Sequence, residues 1–324
     1  MAYELENRLV IGLASSALFD LSESHKVFER DGEEAYRQYQ EENLDEQLAP
    51  GVAFPFIKRL LSLNDLSEPD DPLVEVIVLS KNDPDTGLRV MRSIQTHGLP
   101  ITRAVFMQGR SPHKFIPAFN MSLFLSANRD DVRQAMAAGH PAGQVLESDA
   151  VDDDSRDLRL AFDFDGVLAD DTSERVMQDD GLPGFHKYET ANRATAHNPG
   201  PLRDLLVHIN KIQTREEARH SEDRAYKPRV HVAIVTMRSA PSHERAVRSL
   251  KAWGVTVNDA FFLGGVDKGK VLEILKPHIF FEDQLGNLTN AARVAPSVYV
   301  PFGVMNEPAA DPATDDVEAP LVTD

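Results

Sequence analysis

The chain has 324 residues, no cysteine and a net charge of −18, a length that calls for one large or two medium domains. The acidity argues against a nucleic-acid backbone as the main partner, because such partners are held by clustered lysine and arginine. The lack of cysteine excludes disulfides, thiolate metal sites and cysteine nucleophiles.

The first apolar stretch, LVIGLASSALF over Leu9–Phe19, is too short to span a bilayer, and the acids before it (Glu4, Glu6) are the wrong flank for a signal peptide. The sequence therefore predicts a cytoplasmic protein with no membrane partner. VEVIVLS (74–80), RAVFMQG (103–109) and SLFLSAN (122–128) read as buried strands. The stretch 139–157, GHPAGQVLESDAVDDDSRD, is acidic and carries proline and glycine, so it reads as a linker after a first lobe, 1–138. A second region, 158–305, holds the strands LRLAFDF, VHVAIVT, AFFLGG and IFFED. In HERAVRSLKAWG (243–254), Ala246, Val247, Leu250 and Trp253 fall at helical spacing before a glycine stop. The tail 306–324, rich in proline, alanine and acids, reads as disordered. Continuous apolar strands alternating with amphipathic helices predict an α/β fold with a parallel sheet covered on both faces.

The two halves also resemble each other. At an offset near 150, Asp31-Gly32 matches Asp180-Gly181 and Pro50-Gly51 matches Pro199-Gly200; at 156, VEVIVLS lies over VHVAIVT. A series of matches in order predicts a duplicated fold.

The second half carries four polar signals, each after an apolar strand: Asp163-Phe164-Asp165-Gly166, Thr236 with Met237 and Arg238, Lys268, and Glu282-Asp283. Ligands of open parallel sheets bind beyond the carboxyl ends of strands, so these groups are expected to converge. Such a set suits phosphoryl transfer. One carboxylate attacks phosphorus and a second acts as general acid and base. Oxygen ligands suit Mg²⁺, and a lysine and a threonine hydroxyl steady the phosphoryl oxygens. Arg238 is open to three uses: phosphate, a ribose hydroxyl, or pairing with an acid.

The order DxDxV, Thr, Lys, acidic pair resembles the haloacid-dehalogenase superfamily of phosphatases. That resemblance implies a Rossmann-type parallel sheet with a small helical cap, here about 171–229. It makes Asp163 the nucleophile, Asp165 the general acid and base, Thr236 the phosphate holder and Lys268 the charge balance. Mg²⁺ would sit on Asp163, the Asp165 carbonyl and the acidic pair, and aligning that pair with the superfamily's Asp-Asp makes Glu282 the direct ligand and Asp283 its support. A closer resemblance, over roughly residues 5 to 305, is to the cytosolic 5′-nucleotidase I family. It rests on LRLAFDFDGVLADDTSERV, IVTMRSA, FFLGGVDKG and KPHIFFEDQ, and in the first half on SSALFDLSE, EEAYRQYQEEN, LAPGVAFPFIKRLL and GRSPHKFIPAFNMSLFLSA. It implies Mg²⁺-dependent hydrolysis of nucleoside 5′-monophosphates, AMP or pyrimidine deoxynucleotides. Glu282 departs from the family's usual Asp-Asp.

Thr236, Met237, Arg238 and Lys268 are then expected to contact substrate. In the cap, Phe185, His186, Tyr188 and Asn192 serve either as a base pocket or as internal packing. His113 and Lys114 are candidates to reach the substrate from the first half. A homo-oligomer and a nucleotide effector stay open as partners. The rival readings are a phosphatase of another small phosphomonoester such as a sugar phosphate, a receiver-like signalling module, and a binding protein without activity. Laid over the second half, the first puts Leu13 at Asp163, Ser15 at Asp165, Ser80 at Thr236, Pro112 at Lys268, and Ser126 and Ala127 at Glu282 and Asp283. It is expected to be a degenerate, non-catalytic α/β lobe that shapes or covers the pocket or binds an effector.

Overall fold

The computed structural model describes residues 4–306, so all but Asn306 of the tail expected to be disordered lies outside the described residues. The first half contains β1 (Leu9–Leu13), α1 (Ser15–Leu18), α2 (Ser22–Glu42), α3 (Phe54–Ser62), β2 (Val74–Ser80), α4 (Pro84–Thr96), β3 (Arg103–Phe106), β4 (Leu123–Ser126), α5 (Arg129–Ala137) and β5 (Ala142–Val145). The second contains β6 (Leu158–Phe162), α6 (Thr172–Ala191), α7 (Arg203–Glu222), β7 (Val230–Thr236), α8 (His243–Ala252), β8 (Asp259–Phe262), α9 (Lys268–Leu275), β9 (Ile279–Glu282), α10 (Leu285–Val294) and β10 (Ser297–Tyr299).

These strands form one sheet in the order β3-β2-β1-β4-β5-β10-β9-β6-β7-β8. The α/β reading with a mostly parallel sheet therefore holds. Neighbours pair in parallel within each half, and β5 meets β10 antiparallel through Val145↔Val298 and Gln144↔Tyr299. β1 and β2 are buried along their whole length, as strands covered on both faces must be. The Phe162 and Phe281 rings stack at 5.0 Å between β6 and β9, each buried aromatic contributing about 1.5–3 kcal/mol.

Two details differ from the sequence reading. The stretch 139–157 is not all linker, because its residues 142–145 form β5, the strand that joins the halves. On α8 the apolar stripe omits Val247, which is 48% exposed; Arg245 and Ser249 are buried instead. The reason lies in the polar partners described below. In the segment 171–229, α7 packs Leu205, Leu206, Ile209 and Ile212 into the core, and α6 bends at Gly181.

The halves share a strand order and several local details. Read outward from the seam, each half runs in its own chain order fifth, fourth, first, second, third. α2 and α6 both break at a glycine of positive φ, Gly32 and Gly181. The Gly51 N–H donates to the Leu18 carbonyl at 2.8 Å, and Gly200 donates to Leu168 at the same distance. The Ser93 hydroxyl accepts from Leu48 N–H and the Ser249 hydroxyl from His197 N–H, both at 2.9 Å. Strand register also shifts one equivalence: Ala14, not Leu13, holds the place of Asp163. Their N–H groups donate to Leu125 and Phe281 at 2.8 Å, and these two acceptors stand in corresponding registers.

Candidate active site

β6, β7 and β9 end side by side, and their carboxyl ends carry most of the polar groups. Asp163 follows β6, Thr236 closes β7, and Glu282 closes β9 with Asp283 next. Lys268 is the first residue of α9, whose start is fixed by the Asp267 carboxylate accepting from Gly269 N–H at 2.8 Å. Its Nζ lies 2.7 Å from Asp163 Oδ2 and 2.6 Å from Glu282 Oε2. Asp163, Lys268, Glu282 and Asp283 are all buried.

Three carboxylates around one lysine leave an excess of buried negative charge. Burial pushes the Asp163 carboxyl up to about 8, with Glu282 and Asp165 adding to the rise and Lys268 opposing it. Burial and the neighbouring Asp163 and Glu282 push Asp283 up to about 10. Oxygens of Asp163, Glu282 and Asp283 lie within 4.8 Å of one another. Asp283 Oδ1 is buried with no hydrogen-bond partner, whereas Glu282 Oε2 accepts from Lys268 and Oε1 from Gln284 N–H at 3.1 Å. An all-oxygen set with an orphaned carboxylate oxygen and surplus negative charge fits a hard divalent cation. The group Asp152, Asp153 and His278 does not, because Arg59 and Arg159 already pair with its acids.

The turn after β6 depends on Gly166. Its φ is +70°, and a Cβ there would lie 2.3 Å from Asp283 Oδ2. This glycine lets the chain turn while Asp283 approaches. Asp165 then faces Arg238, which donates from Nε to Oδ2 at 2.7 Å and from Nη2 to Oδ1 at 2.6 Å. Of the three uses open to Arg238, pairing with an acid is the one observed. Thr236 is buried and its hydroxyl accepts from Arg238 N–H at 3.3 Å, while Met237 is 38% exposed.

Behind Arg238 stands a residue that the sequence reading missed. Glu189 on α6 is buried, accepts from Arg238 Nη1, from Arg245 Nη1 at 2.8 Å and from the Ser173 hydroxyl at 2.8 Å, and lies 3.2 Å from His197 Nε2. Burial works to raise the Glu189 carboxyl, but the His197 hydrogen bond and the Arg238 charge outweigh it and hold it well below the usual carboxylate range. No spacing links residues so far apart in the chain. The one available signal was the repeat: Gln40 and Arg89 in the first half make the counterpart pair at 3.2 Å.

The cap candidates separate. The buried Phe185 ring lies 5.2 Å from the Arg238 guanidinium carbon, so it sits beside the site. Its neighbour His186 has a buried Nε2 with no partner. Tyr188 packs under Arg245, and the Asn192 amide donates to the Tyr188 carbonyl at the end of α6. Asp170 accepts from Thr172 and Asn198, and Asp171 from Val304 N–H, so both shape the turn. His113 bonds Ser111 beyond β3, the outermost strand at the far end of the sheet from β8, and Lys114 follows it on the same exposed turn.

A family model described as 5′-nucleotidase matches residues 1–307. Cytosolic 5′-nucleotidase 1B of Homo sapiens is 31% identical over 296 residues, which cover 89% of this chain and 48% of that protein. The chain thus spans about half the length of this curated relative. Among solved structures, a histidinol dehydrogenase from Elizabethkingia anophelis aligns over 90% of this chain and 52% of its own, with 11% identity and a TM-score of 0.23, a likeness too low to carry any argument.

Proposed function

The chain belongs to the 5′-nucleotidase family, and from that membership we propose that it hydrolyses nucleoside 5′-monophosphates to nucleoside and phosphate through an aspartyl-phosphate. The observation that carries the reading is the buried cluster of Asp163, Glu282 and Asp283 around Lys268, next to Asp165 and Thr236.

In the first step an Asp163 oxygen attacks phosphorus, the bond from phosphorus to the ester oxygen breaks, and Asp165 delivers the proton that the departing 5′-oxygen needs. In the second, water attacks the aspartyl-phosphate, gives its proton to Asp165 and frees phosphate and Asp163. Lys268 and the Thr236 hydroxyl hold phosphoryl oxygens. Arg238 grips both Asp165 oxygens and so fixes where that side chain points. Mg²⁺ would be held by the Asp163 carboxylate, the Asp165 backbone carbonyl and Asp283, with Glu282 in support. This reverses the order that motif alignment implies, because Asp283 has the orphaned oxygen. A bound divalent ion neutralises developing charge on the phosphoryl oxygens.

On this reading, residues 158–305 form a haloacid-dehalogenase-type domain whose cap contribution centres on α6, and residues 1–138 a degenerate duplicate. The matching strand order and paired hydrogen bonds support the duplication. The test is phosphate release from a panel of nucleoside monophosphates and sugar phosphates with Mg²⁺, for the natural chain and Asp163→Asn. Nucleotides should be preferred and the variant should lose nearly all activity. Full activity in Asp163→Asn, or a preference for sugar phosphates, refutes the proposal.

A further inference from the structure

A crevice of about 1320 Å³ is lined mostly by the first half, with Thr289, Ala292 and Arg293 of α10 completing its wall and none of the Asp163 cluster in it. Its floor lies at the carboxyl ends of β1, β2 and β4, the positions that hold the catalytic candidates in the second half. Here the floor is made of hydroxyls and amides. Ser15 Oγ lies 3.1 Å from Ser80 Oγ, which accepts from Asn82 N–H at 3.1 Å, and the Asn82 side-chain nitrogen is buried with no partner. The concave shape and mixed lining are those of a small-molecule site, although the volume exceeds the roughly 300–1,000 Å³ usual for one.

Two features define the ligand. The first is an aromatic wall on α2. The His25 and Phe28 rings stack at 6.5 Å and Tyr36 meets Phe28 edge-on at 5.9 Å, yet Phe28 remains 46% exposed. Phe28 thus offers a face to a flat ring, as aromatic side chains do for bases. The second feature is charge. The lining carries Asp20, Glu33, Asp83, Asp131, Glu147 and Asp149 against Arg37, Lys81 and Arg293. Lys81 is already paired with Asp131 and Arg37 with Asp83, each at 2.7 Å. A phosphate entering here would meet surplus negative charge, with two of the cations committed. Hydroxyl groups would instead find both donors and acceptors.

We infer that this crevice binds an uncharged nucleoside, its base against Phe28 and Tyr36 and its sugar hydroxyls on the Ser15, Ser80 and Asn82 floor. The choice of a nucleoside among flat hydroxylated rings rests on the function proposed above. The lack of counterparts to Asp163, Lys268 and Glu282 in the first half then has a purpose: this half keeps the recognition frame and discards the equipment for phosphate.

The experiment titrates the full chain carrying Asp163→Asn with adenosine and with cytidine by calorimetry, in Mg²⁺ and a saturating 5′-monophosphate of the same base. The monophosphate fills the second-half site. One equivalent of nucleoside should still bind, about tenfold more weakly in Phe28→Ala and with affinity regained in Phe28→Trp. Phe28 is exposed enough for both variants to fold. No residual nucleoside binding, or binding indifferent to Phe28→Ala, overturns the inference. So does a second equivalent of monophosphate that Phe28→Ala removes, since the crevice would then accept anions. Phosphate release by the natural chain is scored separately, so a wrong function and a crevice that binds no nucleoside are told apart.

Discussion

Replacing Glu189 with glutamine removes one charge and almost no volume. The first half shows that the shape is tolerated, because Gln40 accepts from Arg89 much as Glu189 accepts from Arg245. What changes is the compensation of Arg238. Breaking a buried ion pair by deleting one partner costs about 3–5 kcal/mol. Here Asp165 still holds Arg238 through two hydrogen bonds and glutamine keeps an acceptor, so roughly 2 kcal/mol is expected, the difference between charge-assisted and neutral hydrogen bonds. In a chain of this size that lowers Tm by about 3 °C. The pH dependence follows from sign. The folded carboxyl is held below its ordinary value, so its contribution is fully present above about pH 4.5 and lost as pH falls through the folded value. The gap between natural chain and variant is therefore constant from about pH 5 to pH 8 and narrows in acid. Arg238, released on one side, positions Asp165 less well, and kcat should fall about tenfold, close to 1.4 kcal/mol, with little change in KM. Calorimetry across pH and steady-state kinetics check both effects. Equal stability of the two proteins at neutral pH would refute the reasoning that Glu189 acts by charge.

Gly166→Ala forces a side chain into the left-handed region, at about 1–2 kcal/mol, and against Asp283 Oδ2. The half-saturating Mg²⁺ concentration for phosphate release should rise at least about tenfold, and an unchanged Mg²⁺ titration would count against Asp283 as a ligand. Removing divalent ions with a chelator gives a distinct pH signature. Asp163 and Asp283 are raised to about 8 and about 10, so their contribution to the metal-free fold is fully present below about pH 4 and is lost progressively as pH rises from there to those values. Mg²⁺ binds the ionised carboxylates, so the Tm gain it gives should widen with pH; a gain that is flat from about pH 6 to pH 9 would remove the basis for the cluster as a cation site.

The legible parts of this fold were those with strong local patterns. VEVIVLS and VHVAIVT became β2 and β7 residue for residue, because each is an almost continuous apolar run broken only at its second position, by Glu75 and by His231. β5 was hidden for the opposite reason. AGQV carries no apolar run, and it is a strand only because β4 and β10 lie on either side of it. The end-of-strand acids and Lys268 were legible because strand polarity alone sends them to one edge. Glu189 was not, since its partners come from α8, the loop at His197 and the end of β7, and only folding brings them together. The likeness between the halves was legible as a shared strand rhythm, but the sequence offsets lay one residue out beside Asp163, where similarity between short apolar runs cannot fix register and hydrogen bonding can.

The β5–β10 seam has a geometric consequence. In each half every strand points its carboxyl end the same way, and an antiparallel junction reverses that direction across the sheet. The Asp163 cluster and the first-half crevice therefore open at opposite edges, back to back. Neither can serve as a lid for the other, and no small molecule can bridge them. The chain is built like a two-faced coin: whatever one face senses must reach the other through the metal of the coin itself, the β5–β10 pairs, the ion pair of Arg229 with Asp65 and the apolar core that both halves share.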